Sequence, residues 1–294
     1  MKTILIAGGT GLVGKKLQEK FETEGHEVRI LSRNPKKDNE YLWNPSLHEI
    51  DKRALKNVDT IINLSGAGIA DKRWTKLRKK ELFDSRIQTT AFLLKQIHDL
   101  PKLECYISAS GITCYGFDND TKFYQESDPF GEDYMSQLVQ NWENAADLFA
   151  THCRVVKMRI SVVLDGKSGA LSKMSQAIRL GFGSPLGNGK QILQWVHISD
   201  LTNAFYHVAT HPLAGSFNIV GGNDSNKTFM KATAKILKKP FWMPSVPAFL
   251  LKILLGEMSM ILLKGINASN QKIRNTGFEF KHVDLEETLT DLLI

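Results

Sequence analysis

The chain has 294 residues, of which 42% are apolar and 23% charged, with a formal net charge of +7. This length allows one large domain or two unequal ones, and the apolar share is ample for a sizeable core. Three cysteines without a CxxC pair argue against a disulfide framework or a zinc site, and they fit a cytoplasmic protein. The positive charge reads as spread along the chain in clusters such as Lys36-Lys37 and Arg78-Lys79-Lys80. No basic helix or aromatic-interleaved motif points to nucleic acid.

The first element is a short apolar run, Ile4-Leu5-Ile6-Ala7, which breaks into Gly8-Gly9-Thr10-Gly11-Leu12-Val13-Gly14. A helical pattern follows over residues 15–21. Strand, glycine turn and helix in that order are what a dinucleotide-binding turn requires. Gly8 or Gly9 allows the tight turn, Gly11 lets backbone approach a pyrophosphate, and Gly14 lets the helix pack closely on the strand. The free N–H groups at the helix start then face the phosphates. Because the chain enters this strand at once, no signal peptide is expected.

Residues 27–32 form the second strand, which ends Ser32-Arg33-Asn34-Pro35 without the acid that would bind a ribose 2′-hydroxyl. An arginine there can grip a 2′-phosphate through two N–H groups and stack on adenine, so Arg33 favours NADP(H) over NAD. Tyr41-Leu42-Trp43 reads as a short third strand. Residues 60–64 make a buried strand running into Ser65-Gly66-Ala67-Gly68, a small-residue turn against which the middle of a cofactor can lie. Residues 74–98 are helical. The strand at 103–108 continues into Ser110-Gly111 and a loop carrying Thr113 and Tyr115. A polar loop over 118–133, a helix over 134–150 and a strand over 154–160 complete the alternation.

Alternating strands and helices demand a doubly wound α/β fold, with a parallel sheet covered on both faces. The sequence divides into a Rossmann-type NADP-binding domain at 1–165 and a smaller, mostly helical substrate or cap region at 166–294. Residues 217–220 are expected to return to the sheet. Residues 181–189 are a glycine-rich loop, and 195–200 lead into a helix. The most lipid-like stretch, 246–264, is interrupted by Lys252, Glu257 and Lys264, so it reads as packed helices and no membrane partner is expected.

These residues resemble the extended short-chain dehydrogenase/reductase superfamily, and within it the atypical epimerase-like branch with a helical C-terminal domain of unknown function. The resemblance is carried by GGTGLVG at 8–14, SRNP at 32–35, NLSG at 63–66, KRWTKLRKKELFDSR at 72–86, SVVLDGKSGAL at 161–171, LGFGSPLGNGKQ at 180–191, WVHISDL at 195–201, and the tail blocks at 254–265 and 276–293. Members are often labelled nucleoside-diphosphate-sugar epimerases or cell-division inhibitors. The resemblance implies NADP(H) bound by Gly8–Gly14, by Ser32 and Arg33, and by Leu64 and Ser65, with Glu81 and Arg86 near the cofactor.

Active members of the superfamily use a tyrosine with a lysine four residues later, whose charge lowers the phenol's pKa from about 10. None of the six tyrosines here has that lysine. Tyr134 holds the matching place, but Leu138 stands where the lysine belongs, and Arg86 takes the place of the helix asparagine. Ser110 keeps the serine's position. Ser110 and Tyr115, with Arg86 supplying charge, are therefore the candidate acid/base unit, and His197 is a further candidate acid. Gly166-Lys167-Ser168 lacks the glycine a P-loop needs, and neither HExxH nor GxSxG occurs, so no metal is expected. Two readings stand: an NADP(H)-dependent oxidoreductase or epimerase-like enzyme on an unknown small molecule, or a non-catalytic NADP(H) sensor acting through a protein partner.

Overall fold

The computed structural model describes residues 1–97, 100–117 and 122–294; the end of the expected 74–98 helix and the start of the 118–133 loop lie outside these. The central strand β1 (Thr3–Ala7) is buried along its whole length. It pairs in parallel with β2 (Glu27–Ser32) on one side and β5 (Thr60–Asn63) on the other. Outward from β5 run β6 (Cys105–Gly111), β8 (Arg154–Ile160) and β11 (Gly215–Ile219), all parallel. Outward from β2 lie β3 (Glu40–Asn44) and the short antiparallel β4 (Glu49–Ile50), giving eight strands in the order β11-β8-β6-β5-β1-β2-β3-β4.

Successive side chains of a strand point to opposite faces, and a parallel sheet must be covered on both. Ile4 and Ile6 accordingly pack with Leu17 and Phe21 of α1 (Leu12–Thr23) and with Phe205 and Val208 of α5 (Ile198–Thr210). Leu5 and Ala7 pack on the other face with Phe92 and Leu93 of α2 (Lys76–Leu94) and with Ala146 of α3 (Tyr134–Asp147). The strand order steps from β1 to β2 on one side and from β1 to β5 on the other. That reversal opens a crevice above the carboxyl ends of β1, β2 and β5, where doubly wound sheets bind ligands.

Beyond residue 165 the chain is more regular than its sequence suggests. A second sheet, β12-β10-β9, joins β9 (Val162–Leu164), β10 (Ile192–His197) and β12 (Gly222–Ser225). It packs against α4 (Gly169–Arg179), α6 (Asn226–Ile236) and α10 (Leu285–Leu293) around the fully buried Trp195 and Phe229. Residues 195–200 do lead into a helix, α5, but 192–197 are first a strand, with Gln194 splitting its apolar residues into two short pairs. A two-stranded pair, β7 (Phe123–Tyr124) with β13 (Asn267–Ala268), ties the 123–124 segment to the tail. Among the described residues no helix is long and apolar enough to cross a membrane.

Candidate functional site

The 8–14 turn is built so tightly that only glycine fits at two of its positions. Gly8 has φ +78°, and a methyl added there would lie 3.0 Å from the Leu64 carbonyl. A methyl on Gly14 would lie 2.5 Å from Gly9 Cα. At Gly11 the added methyl meets only Gly8 O, at 3.4 Å, so the space above Gly11 is open. Gly11 is also the N-cap of α1 and offers no side chain, so no side chain caps the first-turn N–H groups of Leu12, Val13 and Gly14. Uncapped N–H groups beside an open glycine form a cradle for an anionic diphosphate.

At the end of β2, Ser32 is buried and its hydroxyl accepts from the Asn34 N–H at 3.2 Å. Arg33 is exposed and makes no hydrogen bond or ion pair with another described residue. At the end of β5, Leu64 N–H donates to Ala7 O at 2.9 Å, and Ser65 N–H donates to Asn63 Oδ1 at 3.0 Å. Asn63 is buried and held by its own donation to Thr90 Oγ1 and to the Tyr106 hydroxyl.

The loop after Ser65 is clamped by one face of α2. Ser85 Oγ accepts from Ala67 N–H at 3.0 Å, Arg86 Nη2 donates to Ala67 O at 3.0 Å, and Arg78 donates to Gly68 O. Arg86 is buried, lies over the Trp142 ring and just beneath Gly66, and has no carboxylate partner among the described residues. Its Nε is buried without a hydrogen bond among the described residues. Burial pushes its pKa down to about 10, so it keeps its charge at neutral pH. Glu81 is exposed and pairs with the buried Arg78 at 2.7 Å.

Ser110 and Tyr115 belong to one buried network. Ser110 Oγ donates to Glu143 Oε1 at 2.6 Å. Arg159 grips both Glu143 oxygens, at 2.8 and 2.9 Å, and donates to the Tyr115 hydroxyl at 2.9 Å. Tyr115 in turn donates to Asn218 Oδ1 at 2.7 Å. Burial raises the Tyr115 phenol above its ordinary value despite the Arg159 charge beside it. Burial also works against the Glu143 carboxylate, yet Arg159 holds it below its ordinary value. Arg86 makes no hydrogen bond to Ser110 or Tyr115, so the three candidates are not one hydrogen-bonded unit.

Tyr134 is half-buried at the start of α3, and its hydroxyl donates to Lys79 O at 3.0 Å. Burial raises its pKa, with the nearby charge of Arg86 pulling against it. Its ring meets Trp74 edge-on at 5.6 Å. Trp74 lines a cleft of about 390 Å³ closed by Leu255, Gly256 and Glu257 of the tail. An ion pair between Lys79 and Glu257 holds the two sides together.

A profile of the NAD dependent epimerase/dehydratase family matches residues 4–220, nearly three quarters of the chain. The chain belongs to this family. A domain of unknown function, DUF1731, matches residues 246–292. The epimerase family protein YfhF of Bacillus subtilis is 33% identical over 298 residues, covering 99% of this chain and 97% of that protein. The mouse epimerase family protein SDR39U1 is 32% identical over 297 residues, 99% of each. The crystal structure of human SDR39U1 isoform 2 with NADPH superposes with a TM-score of 0.91 at 30% identity, covering 99% of this chain and 98% of that one.

For a member of the epimerase/dehydratase family, the departure from YxxxK has a structural counterpart that sequence reading missed. Glu143, Arg159 and Asn218 surround Ser110 and Tyr115, and none was singled out. The signal was available: Glu143 falls on the apolar face of α3 with Val139, Trp142 and Ala146, and Arg159 interrupts a buried parallel strand. Charged residues at such positions need each other. Thr113, on the same loop, is half-buried and its hydroxyl makes no hydrogen bond among the described residues.

His197 lies away from this network. Its Nδ1 accepts from Ser199 N–H at 3.0 Å, capping α5, and its Nε2 meets Asp291 Oδ2 at 3.1 Å. The His282 ring stacks on it at 3.7 Å.

Proposed function

We propose that this chain binds NADPH and is an oxidoreductase or epimerase-like enzyme acting on a small molecule. The observation that carries the reading is the 8–14 turn, where Gly8 and Gly14 exclude any side chain and Gly11 leaves open space above uncapped N–H groups. Support also comes from the NADPH in the human relative. In this reading the backbone of Gly8, Gly9, Thr10, Gly11, Leu12, Val13 and Gly14 holds the pyrophosphate, and Ser32 and Arg33 hold the 2′-phosphate. Leu64, Ser65 and Gly66 lie along the middle of the cofactor, on the loop that Arg86 clamps, with Glu81 keeping Arg78 in place.

A nicotinamide held there supplies or accepts a hydride. The chain's own residues must then place the reacting oxygen and handle its proton. Ser110 donates its hydrogen bond to Glu143, so its Oγ offers lone pairs to a substrate hydroxyl. Tyr115, with its raised pKa, stays protonated at neutral pH and is no base; it donates to a substrate oxygen only by turning its proton away from Asn218 Oδ1. The Thr113 hydroxyl, which has no hydrogen bond among the described residues, is available to bind the same oxygen. Arg86 supplies a nearby positive charge. In this reading the tail, whose Leu255, Gly256 and Glu257 face Trp74 across a cleft, covers the substrate side.

The sensor reading also has an observation in its favour. The hydroxyls of Ser110, Tyr115 and Tyr134 are all engaged within the protein, and Leu138 offers no charge. NADPH oxidation against a broad panel of aldehydes, ketones and nucleotide sugars separates the two. Turnover supports the enzyme; tight NADPH binding with no turnover on any of them supports the sensor.

A further inference from the structure

The positive charge includes two acid-free stretches: residues 72–80 carry six basic residues, and residues 225–256 hold six lysines over 32 residues. Lys227, Lys231, Lys235, Lys238, Lys239 and Lys252 are all exposed. Lys235 pairs with Glu286, and the other five make no ion pair among the described residues.

The same stretch carries exposed apolar side chains. The helix α7 (Ala248–Leu255) buries only Leu251. Phe249 is 61% exposed, Ile253 65% and Leu254 67%, while Trp242 before the helix is 74% exposed. Phe249 with Ile253, and Leu250 with Leu254, stand four residues apart, so they share one outward side of α7. The sequence reading of 246–264 as packed helices therefore holds for Leu251, Met258 and Ser259 but not for this side. Large apolar residues crowded on a surface mark an interaction site.

Charge decides the occupant. A second copy docked through this surface would bring two lysine-rich, acid-free stretches together with nothing to neutralise them. A nucleic acid would pair with the lysines but leave Phe249, Ile253 and Leu254 wet. An anionic bilayer satisfies both, because lysines meet headgroups while Trp, Phe, Ile and Leu enter the boundary with the acyl chains.

We propose that residues 238–254 are a peripheral docking surface for anionic phospholipid. Trp242, Phe249, Ile253 and Leu254 enter the interface, α7 lies flat in its plane, and Lys238, Lys239 and Lys252 contact the headgroups. This reading does not depend on the reaction proposed above.

The test is flotation of the full chain with phosphatidylcholine vesicles, with and without phosphatidylglycerol. The expected result is binding to the anionic vesicles, weakened by salt, and little or none to the neutral ones. Lys238→Gln, Lys239→Gln and Lys252→Gln together should weaken binding on the order of a hundredfold. Phe249→Ser with Ile253→Ser should weaken it at least about tenfold while NADPH affinity and melting temperature stay as in the parent. No binding to anionic vesicles would overturn the proposal, as would equal binding to both vesicle types. A dimer in light scattering that Phe249→Ser with Ile253→Ser dissolves, without vesicle binding, would overturn it in favour of a second copy.

Discussion

Glu143 and Arg159 form a two-pronged ion pair, at 2.8 and 2.9 Å, with both side chains buried where β6 and β8 end. A buried pair of this kind adds little net stability over an apolar pair, but breaking it leaves an uncompensated charge. It fixes the positions of Ser110 and Tyr115 at once. Much of the behaviour of this site should follow from that one contact.

Glu143→Gln should cost about 3–5 kcal/mol, measured by urea unfolding, whereas Glu143→Leu with Arg159→Met should cost less than the single change. The pair also sets an acid limit. Glu143 titrates in the folded chain below the ordinary value of 4.5, so its stabilisation is present above that value and is lost as pH falls through the folded pKa. The parent should therefore lose more stability on acidification below about pH 4.5 than the double variant does.

Catalytic coupling should follow the same network. If the chain turns over a substrate, Ser110→Ala and Tyr115→Phe should each slow it roughly a hundredfold, and the pair should cost little more than either alone. Arg86→Ala, which lies outside the network, should multiply with either of them. Tyr134→Phe should be nearly silent, because its phenol is spent on Lys79 O and has no lysine at 138. Steady-state NADPH oxidation by the single and double variants checks all four.

Gly11 and Gly14 should separate ligand binding from folding. Gly14→Ala drives a methyl to 2.5 Å from Gly9 Cα and should lower stability by about 1–3 kcal/mol. Gly11 has φ −76°, which alanine adopts without strain, and its methyl points into open space. Gly11→Ala should therefore melt like the parent yet bind NADPH at least about tenfold more weakly, since the methyl occupies the cradle. Thermal melting and calorimetry on the two variants give the comparison.

His197 should make stability fall on mild acidification. Burial, and then the charge of His282, hold its pKa below the ordinary 6.5, against the pull of Asp291. Below about pH 6.5 the unfolded chain takes the proton more readily, so stability present above that value is lost as pH falls. His197→Asn should flatten part of the slope between pH 7 and 5 in denaturant titrations. An unchanged slope would mean that His26 and His207, whose pKa values are also lowered, account for all of it.

The first half of the fold was legible because its signals are local. Gly8 to Gly14 lie between an apolar run and a helix, and β1, β2, β5 and β8 each announce themselves as short apolar stretches. The second sheet was not legible, because β12 is Gly-Asn-Asp-Ser and gains its place only by pairing with β10. The site was read in part for the same reason. Ser110 and Tyr115 are close in sequence, but the residues that bind them come from α3, β8 and β11. Only the fold brings Glu143, Arg159 and Asn218 together, and their pairing hides Ser110 and Tyr115 from solvent. The lysines of 225–256 are spaced more widely than clusters such as Arg78-Lys79-Lys80, so the lack of acids among them is harder to read.

In the proposed NADPH site, Arg33 reads the 2′-phosphate. The most direct measurement is calorimetric titration of the parent and Arg33→Ala with NADPH and with NADH. The account predicts that the parent prefers NADPH, and that Arg33→Ala weakens NADPH at least about tenfold while NADH is nearly unchanged, as expected for losing a charge-assisted contact of roughly 1.5–3 kcal/mol. Equal losses for both cofactors, or a parent that binds neither, would contradict it.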